Sequence, residues 1–166
     1  QHLAGDLAAM LADTKESPKW RNYCVQILYD CYLKTGHPDI PDTIFQAAFS
    51  DEKQVVICAL WSLARMATTK AESRLPEKDF IERIHQVCLA ALQDEKAEML
   101  VRVAGVQSCA LMKLPETLPA CRTIIQDDNP KLAYLRMVAV AAIGDLGDQT
   151  DVATLQKLAT AAKAPL

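Results

Sequence analysis

Apolar residues recur at helical spacing along nearly the whole chain, and no stretch alternates with the period of two that marks a strand. The spacing predicts helices near residues 2–13, 17–33, 41–49, 52–68, 76–93, 96–112, 115–126, 130–146 and 150–162. The punctuation agrees. Ser17-Pro18 and Asn129-Pro130 each read as a capping side chain followed by proline in the first turn. Pro41, Pro76 and Pro115 each open a segment. Gly36 before His37-Pro38 ends the second helix, and Gly144 and Gly147 loosen the end of the eighth. Most connections are short, which makes successive helices antiparallel. The longest polar insert spans residues 68–75. The expected fold class is all-α, with residues 1–166 as one domain. Its helices pair as about 2–33, 41–68, 76–112 and 115–146, followed by an extra helix at 150–162.

The pairs carry an internal repeat. Arg21, Arg102 and Arg136 each follow an aspartate by eight residues, namely Asp13, Asp94 and Asp128. Behind each arginine, offsets +3, +6, +7 and +10 hold Cys24, Ile27, Leu28 and Cys31, then Gly105, Ser108, Cys109 and Met112, then Ala139, Ala142, Ile143 and Leu146. At 100° per residue these offsets form one stripe about 100° wide, and its small residues permit close helix approach. The second pair lacks the arginine, and Val56 is the best match to its position.

The segment Ala91-Leu92-Gln93-Asp94 with Val101-Arg102-Val103-Ala104 resembles a HEAT repeat. So does Ile124-Ile125-Gln126-Asp127-Asp128 with Leu135-Arg136 and Ala141-Ala142-Ile143-Gly144-Asp145-Leu146-Gly147-Asp148. The resemblance covers essentially the whole chain and implies a right-handed superhelix of helical hairpins. One hairpin cannot bury its stripe alone, so stability comes from stacking on its neighbours. The aspartate lies between the helices of a pair, where it can accept hydrogen bonds from free N–H groups of the second helix. The resemblance further implies that Asp13, Asp94, Asp128, Arg21, Arg102 and Arg136 form ladders between neighbouring repeats.

Composition narrows the function. Of 166 residues, 51% are hydrophobic and 23% charged, enough to build a core and too apolar for a disordered chain. The net charge of −3 argues against a dedicated nucleic-acid binder. No apolar run approaches the ~20 residues that span a bilayer. The ends, at Gln1 and at Ala164-Pro165-Leu166, read as interrupted, which points to a piece of a longer polypeptide. Cys24, Cys31, Cys58, Cys88, Cys109 and Cys121 lie in apolar helical patterns without metal-ligand spacing. They read as buried free thiols, which favours a reducing, cytoplasmic compartment.

Candidate chemistry is sparse, and no cofactor or metal is expected. The histidines are His2, His37 and His85. No His-Glu pair of the kind that holds iron in the helical-repeat deoxyhypusine hydroxylases is present. Cys88 and His85 share a helix face, but no orienting third group accompanies them. Asp127-Asp128 and Glu95 with Glu98 read as caps and solvated charges. No glycine-rich phosphate loop and no Gly-x-Ser-x-Gly occurs. Trp20, Tyr23, Tyr29, Tyr32, Phe45, Phe49 and Trp61 concentrate early but are not interleaved with basic residues, so they read as core.

In a HEAT-like stack the second helix of each pair lines the concave side. Offsets +1, +5 and +9 lie opposite the stripe. They are Asn22, Gln26 and Asp30, then Val103, Gln107 and Leu111, then Met137, Ala141 and Asp145. From these, Asn22, Gln26, Asp30, Gln107 and Asp145 are the candidate partner-binding residues. The expectation is a non-catalytic protein-interaction or scaffold module. The alternative is a DNA-acting enzyme of the HEAT-like glycosylase kind, holding nucleic acid in the groove.

Overall fold

A computed structural model describes residues 2–69 and 76–161 of the chain. All its elements are helical, with no strand among the described residues. They are α1 (His2–Ala12), α2 (Pro18–Thr35), α3 (Asp39–Ala47), α4 (Lys53–Ala67), α5 (Lys78–Gln93), α6 (Met99–Leu111), α7 (Leu118–Ile124), α8 (Ala133–Leu146) and α9 (Gln149–Ala161). Short 3₁₀ turns at Pro115–Thr117 and Pro130–Leu132 precede α7 and α8. Most of the polar insert, and residue 162 of the expected last helix, lie outside the described residues.

Local chemistry explains the boundaries. Ser17 Oγ accepts a hydrogen bond from the Trp20 N–H at 3.3 Å, and Pro18 opens α2. Gly36, at φ 66°, donates its N–H to Tyr32 O and ends that helix. The expected helix at 115–126 is divided. Pro119 has no N–H to give the carbonyl of Pro115, so a tight turn precedes α7. The helix expected at 41–49 starts earlier, at Asp39.

Helices pack as antiparallel partners: α1 on α2, α3 on α4, α5 on α6 and α7 on α8. The second partners pack in chain order, α2 on α4, α4 on α6, α6 on α8, and α9 lies on α8. Two apolar clusters result, one centred on α2–α4 and one on α6–α8, and they meet at α5 and α6. The junction is tight because Gly105 lacks a side chain. A Cβ there would lie 2.6 Å from Leu92 N and 3.0 Å from Cys88 O.

The repeat is visible in the turns. Asp13 accepts from the Lys15 N–H at 2.9 Å, Ser50 from Glu52 at 3.1 Å, Asp94 from Lys96 at 2.9 Å and Asp127 from Asn129 at 2.8 Å. Two expectations are corrected here. The fourth turn is closed by Asp127, while Asp128 is fully exposed and comes no nearer than 3.8 Å to Arg136. In addition, these side chains close the loop itself and do not cap the following helix.

The arginines also differ from the expected ladder. Arg21 Nε donates to Leu11 O at 2.9 Å, and Arg102 Nε to Leu92 O at 3.2 Å. Each arginine therefore ties its helix to the last turn of its own partner. Arg21 alone of the two also reaches the next pair, where Nη2 donates to Ser50 Oγ at 3.4 Å. Further links between pairs come from Lys53–Glu98 at 2.7 Å and Arg83–Asp42 at 3.5 Å, and Arg122–Asp151 at 2.8 Å ties the last pair to α9.

Counting from Arg21, Val56, Arg102 and Arg136, offsets +3 and +7 are buried in all four pairs. They hold Cys24, Ala59, Gly105 and Ala139, and Leu28, Leu63, Cys109 and Ile143. Val56 thus keeps the register assigned from sequence. Offset +6 is buried at Ser62, Ser108 and Ala142 but exposed at Ile27, contrary to expectation. Nothing among the described residues stacks ahead of α2 to cover it.

Candidate binding face

Residues of α2 and α4, and of α6 and α8, form the walls of two open grooves. The first, about 670 Å³, runs between α2 and α4. Asn22, Gln26, Tyr29 and Asp30 line one wall, and Ile57, Cys58, Trp61, Ser62 and Arg65 line the other. The second, about 410 Å³, runs between α6 and α8, and its lining includes Gln107, Leu111, Lys113, Met137 and Asp145. Trp61 borders both grooves and joins them.

All five sequence-selected residues therefore lie on this face: Asn22, Gln26 and Asp30 in the first groove, Gln107 and Asp145 in the second. Val103 does not join them. It is buried in the second apolar cluster, where it serves the packing of α6. Leu111 and Met137 are exposed. Sequence reasoning missed Ile57, Trp61 and Arg65 as groove residues. The signal was present, because they are offsets +1, +5 and +9 from Val56.

The grooves differ in chemistry. In the first, the Arg65 guanidinium carbon stands 4.8 Å from the centre of the Tyr29 ring. Burial raises the pKa of the Tyr29 phenol, and the Arg65 charge opposes that rise. The Cys58 thiol donates to Asn22 O at 3.8 Å; burial raises its pKa, against hydrogen bonds from Ser62 and Gln26. The second groove is mainly apolar, with Lys113 and Asp145 3.9 Å apart at its edge. Each groove carries one cation and one carboxylate, so neither has the positive field that follows a phosphate backbone.

The aromatic residues expected as core are split. Tyr29, Tyr32 and Phe45 are buried, whereas Trp20, Tyr23 and Phe49 are exposed. Phe49 belongs to a separate apolar surface on α3 and α5, where Arg83 stands 4.3 Å above the Phe45 ring.

The remaining candidate chemistry is used structurally. Burial pushes the Cys88 thiol far up and holds Cys109 at about 12 and Cys121 at about 11. Such thiols stay protonated and are poor nucleophiles. His85 Nδ1 lies 3.8 Å from Glu82. Glu98 pairs with Lys53, and Asp127 closes a turn. No group of three His, Cys, Asp or Glu that could hold a metal occurs among the described residues. No helix among them is long and apolar enough to cross a membrane. No family model, no curated protein and no solved structure matches the chain.

Proposed function

We propose that the chain is a non-catalytic protein-interaction module, built as a right-handed superhelix of HEAT-like helical pairs. It takes a protein segment along the face of α2, α4, α6 and α8. The observation that carries this reading is the pair of grooves joined at Trp61, which gathers Asn22, Gln26, Asp30, Gln107 and Asp145. The chain-order packing of the second helices supports the superhelix. The protonated, buried thiols support a non-catalytic role. An aromatic anchor flanked by amides and exposed aliphatic side chains suits a polypeptide. The balanced charge argues for protein over nucleic acid.

The test is site-specific photo-crosslinking in lysate of the source cells. A photoreactive residue replaces Gln26 or Gln107 in the grooves, or the exposed Gln156 on α9 as a control. Gln26 and Gln107 should capture the same protein, Gln156 should not, and Trp61→Ala should reduce the yield at both groove positions. Capture no stronger than at Gln156 would remove the reading. Protection of Gln26 and Gln107, but not of Gln156, by duplex DNA would replace it with the nucleic-acid alternative.

A further inference from the structure

Arg65 differs from every other arginine among the described residues. Arg21 and Arg102 each donate to a carbonyl, and Arg83, Arg122 and Arg136 each approach a carboxylate. Arg65 does neither. Its exposed guanidinium stands 4.8 Å from the centre of the Tyr29 ring, which holds it on the wall of the first groove. The matching position on the opposite wall is Asp30, since both residues are offset +9 in their pairs. Asp30 is exposed too, and the two do not close an ion pair. Among the described residues, the groove therefore presents a cation and a carboxylate at one level, each without a partner of opposite sign.

The +9 row continues into the second groove with the exposed Leu111 and with Asp145, which Lys113 meets at 3.9 Å. Beside it, one helical turn away, the +5 row carries Gln26, Trp61 and Gln107. A carboxamide both donates and accepts, so it matches a backbone whose N–H and C=O groups are free. In a helical partner those groups are used internally. The +5 row therefore fits an extended backbone, and the +9 row the side chains that leave it on one side.

We propose that the occupant of this face is an extended segment carrying a basic side chain for Asp30, an acidic one three residues along for Arg65, and an apolar one three further for Leu111 and the second groove. This rests on the interaction reading above and specifies its partner. The spacing follows from geometry. Packed helices lie about 8–10 Å apart. Three residues of polyproline-II backbone advance ~9.3 Å and return the side chain to the same side. In a flat strand, residues three apart point to opposite faces, and only one of the two charges would meet the +9 row. Charge then fixes the order. The basic residue lies over α2 and the acidic one over α4, because the reverse order sets like charges against each other at both positions.

Selection from a displayed library of random peptides by the immobilised whole chain tests this. Enriched peptides should share the order basic-x-x-acidic-x-x-apolar, in either chain direction, and should be lost on Trp61→Ala. Arg65→Glu should exchange the acidic preference for a basic one, and Asp30→Lys should exchange the basic preference for an acidic one. For the most enriched peptide, Arg65→Gln should weaken binding by about tenfold, and Arg65→Lys, which keeps the charge and loses the planar fork, by less. Circular dichroism identifies any charge-reversed variant that fails to fold, and Arg65→Gln then decides. Peptides that depend on Trp61 but show no charge preference, or that bind Arg65→Gln as tightly as the parent, overturn this proposal and leave the interaction reading standing. Enrichment of no peptide that depends on Trp61 removes both.

Discussion

The two ends of the run of helical pairs are treated in opposite ways. At the α8 end, a single helix, α9, lies on the last pair and is locked by charge. Arg122 Nε and Nη2 donate to the two oxygens of Asp151 at 2.8 and 2.9 Å, and Asp148 N donates to Asp151 Oδ2 at 3.1 Å. Gly147 permits this approach, since a Cβ there would lie 2.5 Å from Asp151 Oδ2. At the α1 end no helix lies on the first pair among the described residues, and Trp20, Tyr23 and Ile27 stand exposed. One end is covered by a helix held by a specific polar clamp, and the other offers apolar area. A repeat array has two ends by necessity, and what covers each must be read separately.

The sharpest way to probe that difference is to break the core near each end. Leu28 belongs to the apolar cluster of the first pairs and Ile143 to that of the last. Leu28→Asp and Ile143→Asp each bury an unpaired charge, and each should abolish the cooperative thermal transition. If the clusters are coupled through α5 and α6, helical ellipticity is lost throughout in both variants. Loss of only a third to a half of the signal would show that the two ends fold as separable units.

These core positions were legible because +3 and +7 are apolar or small in every pair, and helical periodicity reports a buried stripe directly. The caps at Ser17 and Gly36 were legible for the same kind of local reason. The exposure of Ile27 was not, because periodicity marks a face without saying whether another element covers it. The choice of Asp127 over Asp128 was hidden too. Each closing bond comes from the N–H two residues on, and for Asp128 that residue is Pro130, which has none, a reason that shows only once the closure is known. The groove was legible in part. The offsets that located Asn22 and Gln26 also hold at Ile57, Trp61 and Arg65 when counted from Val56, but they were applied only to the pairs that carry the arginine.

The clamp on α9 gives the next largest effect, and it is selective. Hydrogen bonds from Arg122 hold the Asp151 carboxyl below its usual range, against burial that raises it, and Thr150 does the same for Asp148. A depressed folded value means the clamp's contribution is complete above the ordinary carboxylate pKa of about 3.9. It is lost as pH falls through the lower, folded value. Hydrogen-exchange protection in α9, taken relative to the intrinsic rate at each pH, should therefore be unchanged between neutral pH and mild acid, then fall in strong acid before protection in the first pair does. Arg122→Met should produce fast α9 exchange at neutral pH with α1 and α2 unaffected. Equal acceleration at both ends would mean that the clamp serves the whole array.

The smallest effect separates arginines that sequence treats as equivalent. Arg21 is buried and donates both to Leu11 O and to Ser50 Oγ, so it joins two pairs. Arg102 makes the bond within its own pair, to Leu92 O. Among the described residues, Arg136 approaches only the fully exposed Asp128, at 3.8 Å. A charged donor on a buried carbonyl is worth about 1.5–3 kcal/mol, whereas an exposed ion pair is worth about 0–1 kcal/mol. Urea denaturation should rank Arg21→Ala as most destabilising, Arg102→Ala next and Arg136→Ala within about 0.5 kcal/mol of the parent. The order follows from where each guanidinium finds its acceptor, not from its place in the repeat. Equal losses at all three positions would restore the ladder that the sequence alone suggests, and would make the two ends energetically alike.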